Sequence, residues 1–133
     1  MSLEETAAAD KLRNAMVDDL RPWGAVLSGH VDAAMRPVPR HVFVPEVSLE
    51  RAYGPDPVVT HRDDNGVPVS SASAPGTVAG MLEQLDVRPG HRVLEIGVGT
   101  GYNAALLSWP VGRLVPSRRS SMTKPWRPQR VQR

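Results

Sequence analysis

The sequence predicts an α/β fold: helices open the chain, a small β-hairpin follows, and one apolar strand delivers a glycine-rich loop to a helix. Three observations carry this. The run Val93-Leu94-Glu95-Ile96-Gly97-Val98-Gly99-Thr100-Gly101-Tyr102 reads as strand, loop and helix start. Just before it, Val78, Met81, Leu82 and Leu85 fall at i, i+3, i+4 and i+7, the repeat of an amphipathic helix. Earlier, Asn65-Gly66 sits between β-branched runs, and both residue types tolerate the positive φ of a tight hairpin turn.

From the N-terminus, Ala8, Leu12, Met16 and Leu20 recur every four residues and predict a helix from Leu3 to Leu20, ended by Arg21-Pro22. A second helix is expected from Leu27 to Met35, with Leu27, Val31, Ala34 and Met35 on one side and Pro37 and Pro39 forbidding its continuation. Ser48 to Tyr53 forms a short helical turn before Gly54-Pro55-Asp56-Pro57. Val58-Val59 and Val67-Pro68-Val69 are the arms of the hairpin. Ser73 is the expected N-cap of the next helix, and Pro75 falls in its first turn, where a missing N–H costs little. The helix after the glycine loop is expected over Tyr102 to Ser108, stopped by Trp109-Pro110.

Charge divides the chain. Up to Gly112 there are nine Lys/Arg against fourteen Asp/Glu, whereas Arg113 to Arg133 holds seven basic residues and no acid. The basic character therefore belongs to a tail and not to the body. From Trp109 onward four prolines, six arginines and three serines leave few apolar anchors, so residues 109–133 are expected to be disordered. Cysteine is absent, which excludes disulfides and thiolate zinc sites. His30, His41, His61 and His91 form no helical ligand pair, and no metal is expected. No apolar run approaches the roughly 20 residues that cross a bilayer, and the acidic start Ser2-Leu3-Glu4-Glu5 is unlike a secretory signal, so a cytoplasmic location is expected.

The glycine loop carries the chemistry. A strand leading through glycines to a helix start offers free N–H groups to a carboxylate or phosphate, and a β-carbon there would keep the backbone from closing around a ligand. A dinucleotide fingerprint counted from Gly97 and Gly99 needs glycine where Tyr102 stands, and no Gly-Lys-Ser/Thr of a phosphate-binding loop is present. A tight turn with no ligand is the plainer reading, but three alternating glycines exceed what a turn requires. With the two nucleotide loops set aside, E-x-G-x-G-x-G resembles the first motif of class I methyltransferases, whose cofactor is S-adenosyl-L-methionine.

Three further segments narrow the resemblance. Val38-Pro39-Arg40-His41-Val42-Phe43-Val44-Pro45-Glu46 resembles the V-P-R-x-x-F-V-P-E signature of protein-L-isoaspartate O-methyltransferases. An ordinary loop, with Val42 and Val44 packing on one side and Phe43 on the other, is the alternative there. Ala52-Tyr53 with Asp56 looks like the family's A-Y-x-D stretch, and Ser73-Ala74-Pro75 resembles its active-site S-A-P. The matches keep the family's order from about Leu12 to Leu107 and cover about the first half of a complete member. Gly76 departs from the family's usual aromatic or histidine, and Thr60 to Ser71 is longer, like the branch that modifies aspartates of ribosomally made peptides.

The resemblance implies a truncated Rossmann-like class I methyltransferase fold: residues 1–108 as its N-terminal part and 109–133 as the basic tail. It implies methyl transfer to an aspartyl or isoaspartyl carboxylate of a protein or peptide, with Gly97, Gly99 and Gly101 holding the methyl donor, Glu95 ordering its amino-acid end, and Ser73 positioning the acceptor. A carboxylate with a pKa near ~4 is already ionised at neutral pH, so placement rather than a strong base should dominate. Class I enzymes bind the cofactor ribose with an acid about 20 residues past the loop, in the manner of the dinucleotide fold. No Asp or Glu follows Glu95, so the chain is expected to be truncated, weak or inactive alone, with a tail from a frameshifted or degraded gene. The alternatives are a catalytically dead fragment, or a binding module whose seven tail charges, with Trp109 and Trp126, contact nucleic acid without specificity. The sequence sets no oligomeric state.

Overall fold

The computed structural model describes residues 2–25 and 28–111. Its first helix, α1 (Leu3–Leu20), begins with a capping box. The Ser2 hydroxyl accepts from the Glu5 N–H at 3.1 Å, and the Glu5 carboxylate accepts from the Ser2 N–H at 2.7 Å, which satisfies two donors a helix start leaves open. The buried face is Ala9, Met16 and Val17, flanked by Leu12 and Leu20, one residue on from the expected stripe, since Ala8 is exposed.

Helix α2 (Gly29–Met35) starts later than expected because Ser28 is its N-cap, accepting from the Val31 N–H. Leu27 lies outside the described residues. Asp32 anchors α2 to α1: Arg36 binds it with Nε at 2.9 Å and Nη2 at 3.0 Å, Arg21 reaches it from the end of α1, and Arg36 continues to Asp18 at 2.6 Å. A 3₁₀ turn (Arg40–Phe43) and the single-turn helix α3 (Leu49–Ala52), capped by Ser48, follow. Here the simple loop pattern fails, because Val42 is 57% exposed while the charged Arg40 is 1% exposed.

Strands β1 (Val58–Arg62) and β2 (Pro68–Ala72) pair antiparallel as expected, with Val58 opposite Ala72 and Val59 opposite Ser71. The Asp63 carboxylate closes the turn by accepting from the N–H groups of Asn65 and Val67, at 2.9 and 2.8 Å, and Gly66 takes φ +79°. Only Val58 and Ala72 of the hairpin are buried, so it is attached by its base.

Helix α4 (Pro75–Leu85) corrects one expectation: its N-cap is Ala74, with no side-chain cap, so Ser73 is not the capping residue. Pro75 stands at the first helical position, where its fixed φ starts the turn unaided. Of the expected stripe, Val78 and Leu82 are buried while Met81 and Leu85 are about half exposed, because α4 packs with Ala79 and Pro75 turned inward instead. Asp86 ends the helix in the left-handed region at φ +45°.

The expected strand over Val93 to Ile96 is not part of any ladder among the described residues, whose one sheet is the hairpin. Leu94 is 84% and Ile96 88% exposed. A strand exists through its hydrogen-bonded neighbours, and without them an apolar run stays open on both faces. Helix α5 (Tyr102–Val111) runs past the expected stop at Trp109-Pro110. Near a helix end a proline removes one donor and need not terminate the turn already begun. Of the expected basic tail, residues 112–133 lie outside the described residues. The core joins Met16, Val17, Met35, Val78, Leu82, Leu106 and Leu107, with α2 packed on both α4 and α5. Among the described residues no helix is long and apolar enough to cross a membrane.

The Asp32 network makes an acid-dependent contribution. The Arg36 hydrogen bonds first, then Arg21, hold the Asp32 carboxyl below its ordinary value. A folded-state pKa below the unfolded one stabilises fully above the unfolded value and loses that stability as pH falls through the folded value. Asp32→Asn should therefore cost on the order of 1 kcal/mol at neutral pH, with the difference shrinking below about pH 4. Urea denaturation of both proteins across pH 7 to pH 2 checks this; a pH-independent gap would remove the ion pair as its cause.

Candidate functional site

A cavity of about 200 Å³ opens between the end of the hairpin, α4, the glycine loop and the start of α5. Ser73, Glu95, Gly97 and Gly99 all line it, together with Arg40, Thr100, Tyr102 and Asn103. Residues expected to act together thus meet across 26 positions of sequence. Gly101 is not in the lining: an added β-carbon there would meet the Phe43 ring at 3.8 Å.

The backbone explains two of the glycines. Gly97 and Gly99 take φ +79° and +53°, a region that L side chains rarely enter, and a β-carbon at either would meet nothing within 4 Å. Conformation, not crowding within the chain, requires glycine there, and the space above both remains open. The loop is pinned at its end by the Gly101 N–H donating to the Val98 carbonyl at 2.9 Å and the Ala105 N–H donating to the Gly101 carbonyl at 3.0 Å. The first-turn N–H groups of α5 have no intrahelical acceptor by construction, so the cavity's edge carries donors suited to an anion. Glu95, half-buried, accepts from the Asn103 side-chain amide at 2.8 Å, which ties the residue before the loop to the helix after it.

The centre of the site is a residue that the sequence reading quoted only as a motif letter. Arg40 is buried, and its Nε donates to the Ala52 carbonyl at 2.9 Å while Nη2 donates to the Ser73 carbonyl at 2.8 Å. Its guanidinium carbon lies 5.0 Å from the centre of the Tyr102 ring, a cation–π distance. One side chain therefore joins α3, the Ser73 segment and the start of α5. Burial pulls the Arg40 pKa down, with Tyr102 and then Tyr53 opposing it, yet a guanidinium starts so high that it stays charged. Burial likewise pushes the Tyr102 hydroxyl up to about 12. That hydroxyl is buried without a hydrogen-bond partner among the described residues. His41 Nδ1 lies 2.7 Å from the Tyr53 hydroxyl, while His41 Nε2 is also buried and unpartnered among the described residues.

Sequence reasoning missed Arg40, Tyr102 and Asn103. A usable signal existed for the first: an arginine between Pro39 and a run of apolar residues, in a segment expected to be buried, must find acceptors. Ser73 stands in the cavity wall, half-buried, contributing its carbonyl to Arg40 and making no recorded side-chain bond among the described residues.

Helices packed around a glycine loop that opens α5, with an open cradle over it, accord with the class of Rossmann-like methyltransferases. The sequence matches the family Protein-L-isoaspartate(D-aspartate) O-methyltransferase (PCMT) over residues 11–117, and the chain belongs to that family. It is 41% identical over 115 residues to a protein-L-isoaspartate O-methyltransferase of Methanopyrus kandleri, covering 84% of this chain and 48% of the relative. One from Methanosarcina mazei is 42% identical over 110 residues, covering 83% and 42%. Among solved structures, a protein-L-isoaspartate O-methyltransferase superposes with a TM-score of 0.63 at 35% identity, over 75% of this chain and 31% of that one. A Plasmodium falciparum protein described as a putative member, in complex with S-adenosyl-L-homocysteine, superposes equally well, with a TM-score of 0.63, at 22% identity, a likeness of fold. The chain spans about half the length of the relatives it matches.

Two substitutions test the cluster. Arg40→Ala strands two carbonyls and opens a void, and should lower unfolding free energy by about 2–5 kcal/mol in urea titrations. Tyr102→Phe deletes a buried hydroxyl that has no partner among the described residues, and should leave stability unchanged or raise it by about 1 kcal/mol. A loss above that size in the same assay would mean that the hydroxyl is bonded.

Proposed function

We propose that this chain serves S-adenosyl-L-methionine-dependent carboxyl O-methylation of the protein-L-isoaspartate type, the acceptor being an aspartyl or isoaspartyl carboxylate of a protein or peptide. The single observation that carries the reading is the meeting of Ser73, Glu95, Gly97 and Gly99 in one cavity. The residues present fit the amino-acid end of the cofactor: open space stands over two positive-φ glycines, helix-start donors suit its carboxylate, and the Glu95 carboxylate suits its ammonium. No Asp or Glu follows Glu95 in the sequence to pair with the ribose hydroxyls in the same way. When bound, the cofactor supplies an electrophilic methyl group on a sulfonium.

The chain's own residues have the remaining tasks. The glycine loop binds, with Gly101 acting indirectly by letting α5 start against Phe43. Glu95 orients, held by Asn103. Ser73 positions the acceptor through its hydroxyl, which no capping duty occupies. No proton has to be removed from a carboxylate that is ionised at neutral pH, so orientation and exclusion of water are the sources of rate. A cytoplasmic setting belongs to the same reading.

A second reading has its own observation. Leu94 and Ile96 leave the loop carried by an unsupported segment, so the chain alone could be a catalytically dead member that holds the donor weakly.

Calorimetric titration of the purified chain with S-adenosyl-L-methionine decides between them. Saturable binding that Gly99→Val reduces at least about tenfold is expected, because valine cannot hold φ +53° without strain. Ser73→Ala should leave that affinity within about twofold while lowering turnover on an isoaspartyl peptide by about tenfold or more. A flat titration sinks the enzymatic reading of the isolated chain, and equal losses of affinity and turnover contradict the role of Ser73.

A further inference from the structure

Arg40 is a buried cation without an anion. It is 1% exposed, its recorded acceptors are two backbone carbonyls, and no carboxylate stands within ion-pair distance of it among the described residues. Buried charges are costly unless paired, so an arginine placed this way calls for a partner that the chain does not itself provide. The cavity that Arg40 lines is shared with Ser73 on one side and the glycine loop on the other. Nε and one N–H of Nη2 are committed to Ala52 and Ser73, while Nη1 has no acceptor among the described residues. Glu95, the acid in the same lining, is engaged by Asn103.

We infer that Arg40 is the counter-charge for the methyl-accepting carboxylate, selecting an ionised acceptor over its amide or ester and holding it beside Ser73. This rests on the methyl-transfer reading above and adds to it the group that recognises the acceptor. The acceptor oxygen forms a bond to the methyl carbon as the sulfur–methyl bond breaks, its electron pair remaining on sulfur, and no proton moves. Carboxylate and sulfonium charges disappear together, and the product is a neutral ester. Arg40 therefore attracts the substrate and has no charge to attract in the product, which favours release. The two carbonyls gripped by Arg40 fix the guanidinium plane, so the carboxylate meets a pre-set donor edge and not a flexible side chain.

The test uses the unmodified full chain and three synthetic peptides that differ in one group: an isoaspartyl carboxylate, its methyl ester, and the corresponding amide. Each is titrated with and without S-adenosyl-L-homocysteine. The carboxylate peptide should bind at least about tenfold more tightly than either neutral peptide in both series. Arg40→Gln, checked for folding by circular dichroism, should bring the three affinities within about twofold; if it does not fold, the comparison on the unmodified chain stands alone. Equal affinities for carboxylate and ester, absence of peptide binding, or a preference surviving in folded Arg40→Gln would each overturn the inference. Binding of S-adenosyl-L-homocysteine is read separately: a chain that takes it up but ignores the acceptor's charge loses this inference and keeps the methyl-transfer reading. A chain that prefers the carboxylate without taking up S-adenosyl-L-homocysteine keeps Arg40 as a carboxylate-binding group and loses the methyl-transfer reading, and with it the acceptor's part in that reaction.

Discussion

The buried guanidinium of Arg40 is the constraint on which the site's geometry depends. Its three attachments, Ala52, Ser73 and the Tyr102 ring, come from segments spread over 50 residues of chain. Apolar contacts could bring the same segments together but would not fix their distances, because dispersion is shallow and non-directional. Charge-assisted hydrogen bonds from a buried side chain are directional, and two of them from one rigid plane set the carbonyl of Ala52 against that of Ser73. The desolvation of the charge opposes this, and two carbonyls and an aromatic face repay part of it.

The fold around this point is asymmetric. On the helical side α2 packs against α4 and α5, and Met35, Leu106 and Val17 are sealed. On the other side Val93 to Val98 stands open, with Leu94 and Ile96 almost fully exposed. The glycine loop lies between a well-anchored helix and an unanchored approach. Its conformation is consequently held from the C-terminal side, by the Gly101 backbone bonds, the burial of Tyr102 and the Asn103 bond back to Glu95.

Local chemistry made much of this legible. Helix α1 follows from a four-residue apolar spacing between Ser2 and Pro22, and the hairpin follows from Asn65-Gly66 between valines, since both depend on neighbours in sequence. What failed depended on neighbours in space. Val93 to Ile96 reads as a strand because its residues suit one, yet pairing is a property of two segments. Ser73 reads as a cap because its type and place suit one, but Ala74 and Pro75 begin the helix a residue later. The glycine loop was visible by spacing and the role of Arg40 was not. Periodicity reports which residues are apolar, and a buried charge is the exception that only its acceptors can explain.

Methyl transfer to a carboxylate asks little of a protein by way of proton movement and much by way of alignment. The nucleophile is ready, so rate depends on the distance and angle between two held groups, and errors of an ångström are expensive. In this chain the Ser73 backbone and the Tyr102 ring at the end of the glycine loop share one mechanical reference, the Arg40 side chain. That arrangement also accounts for a buried charge where burial alone would call for an apolar side chain: no apolar side chain could donate to both carbonyls.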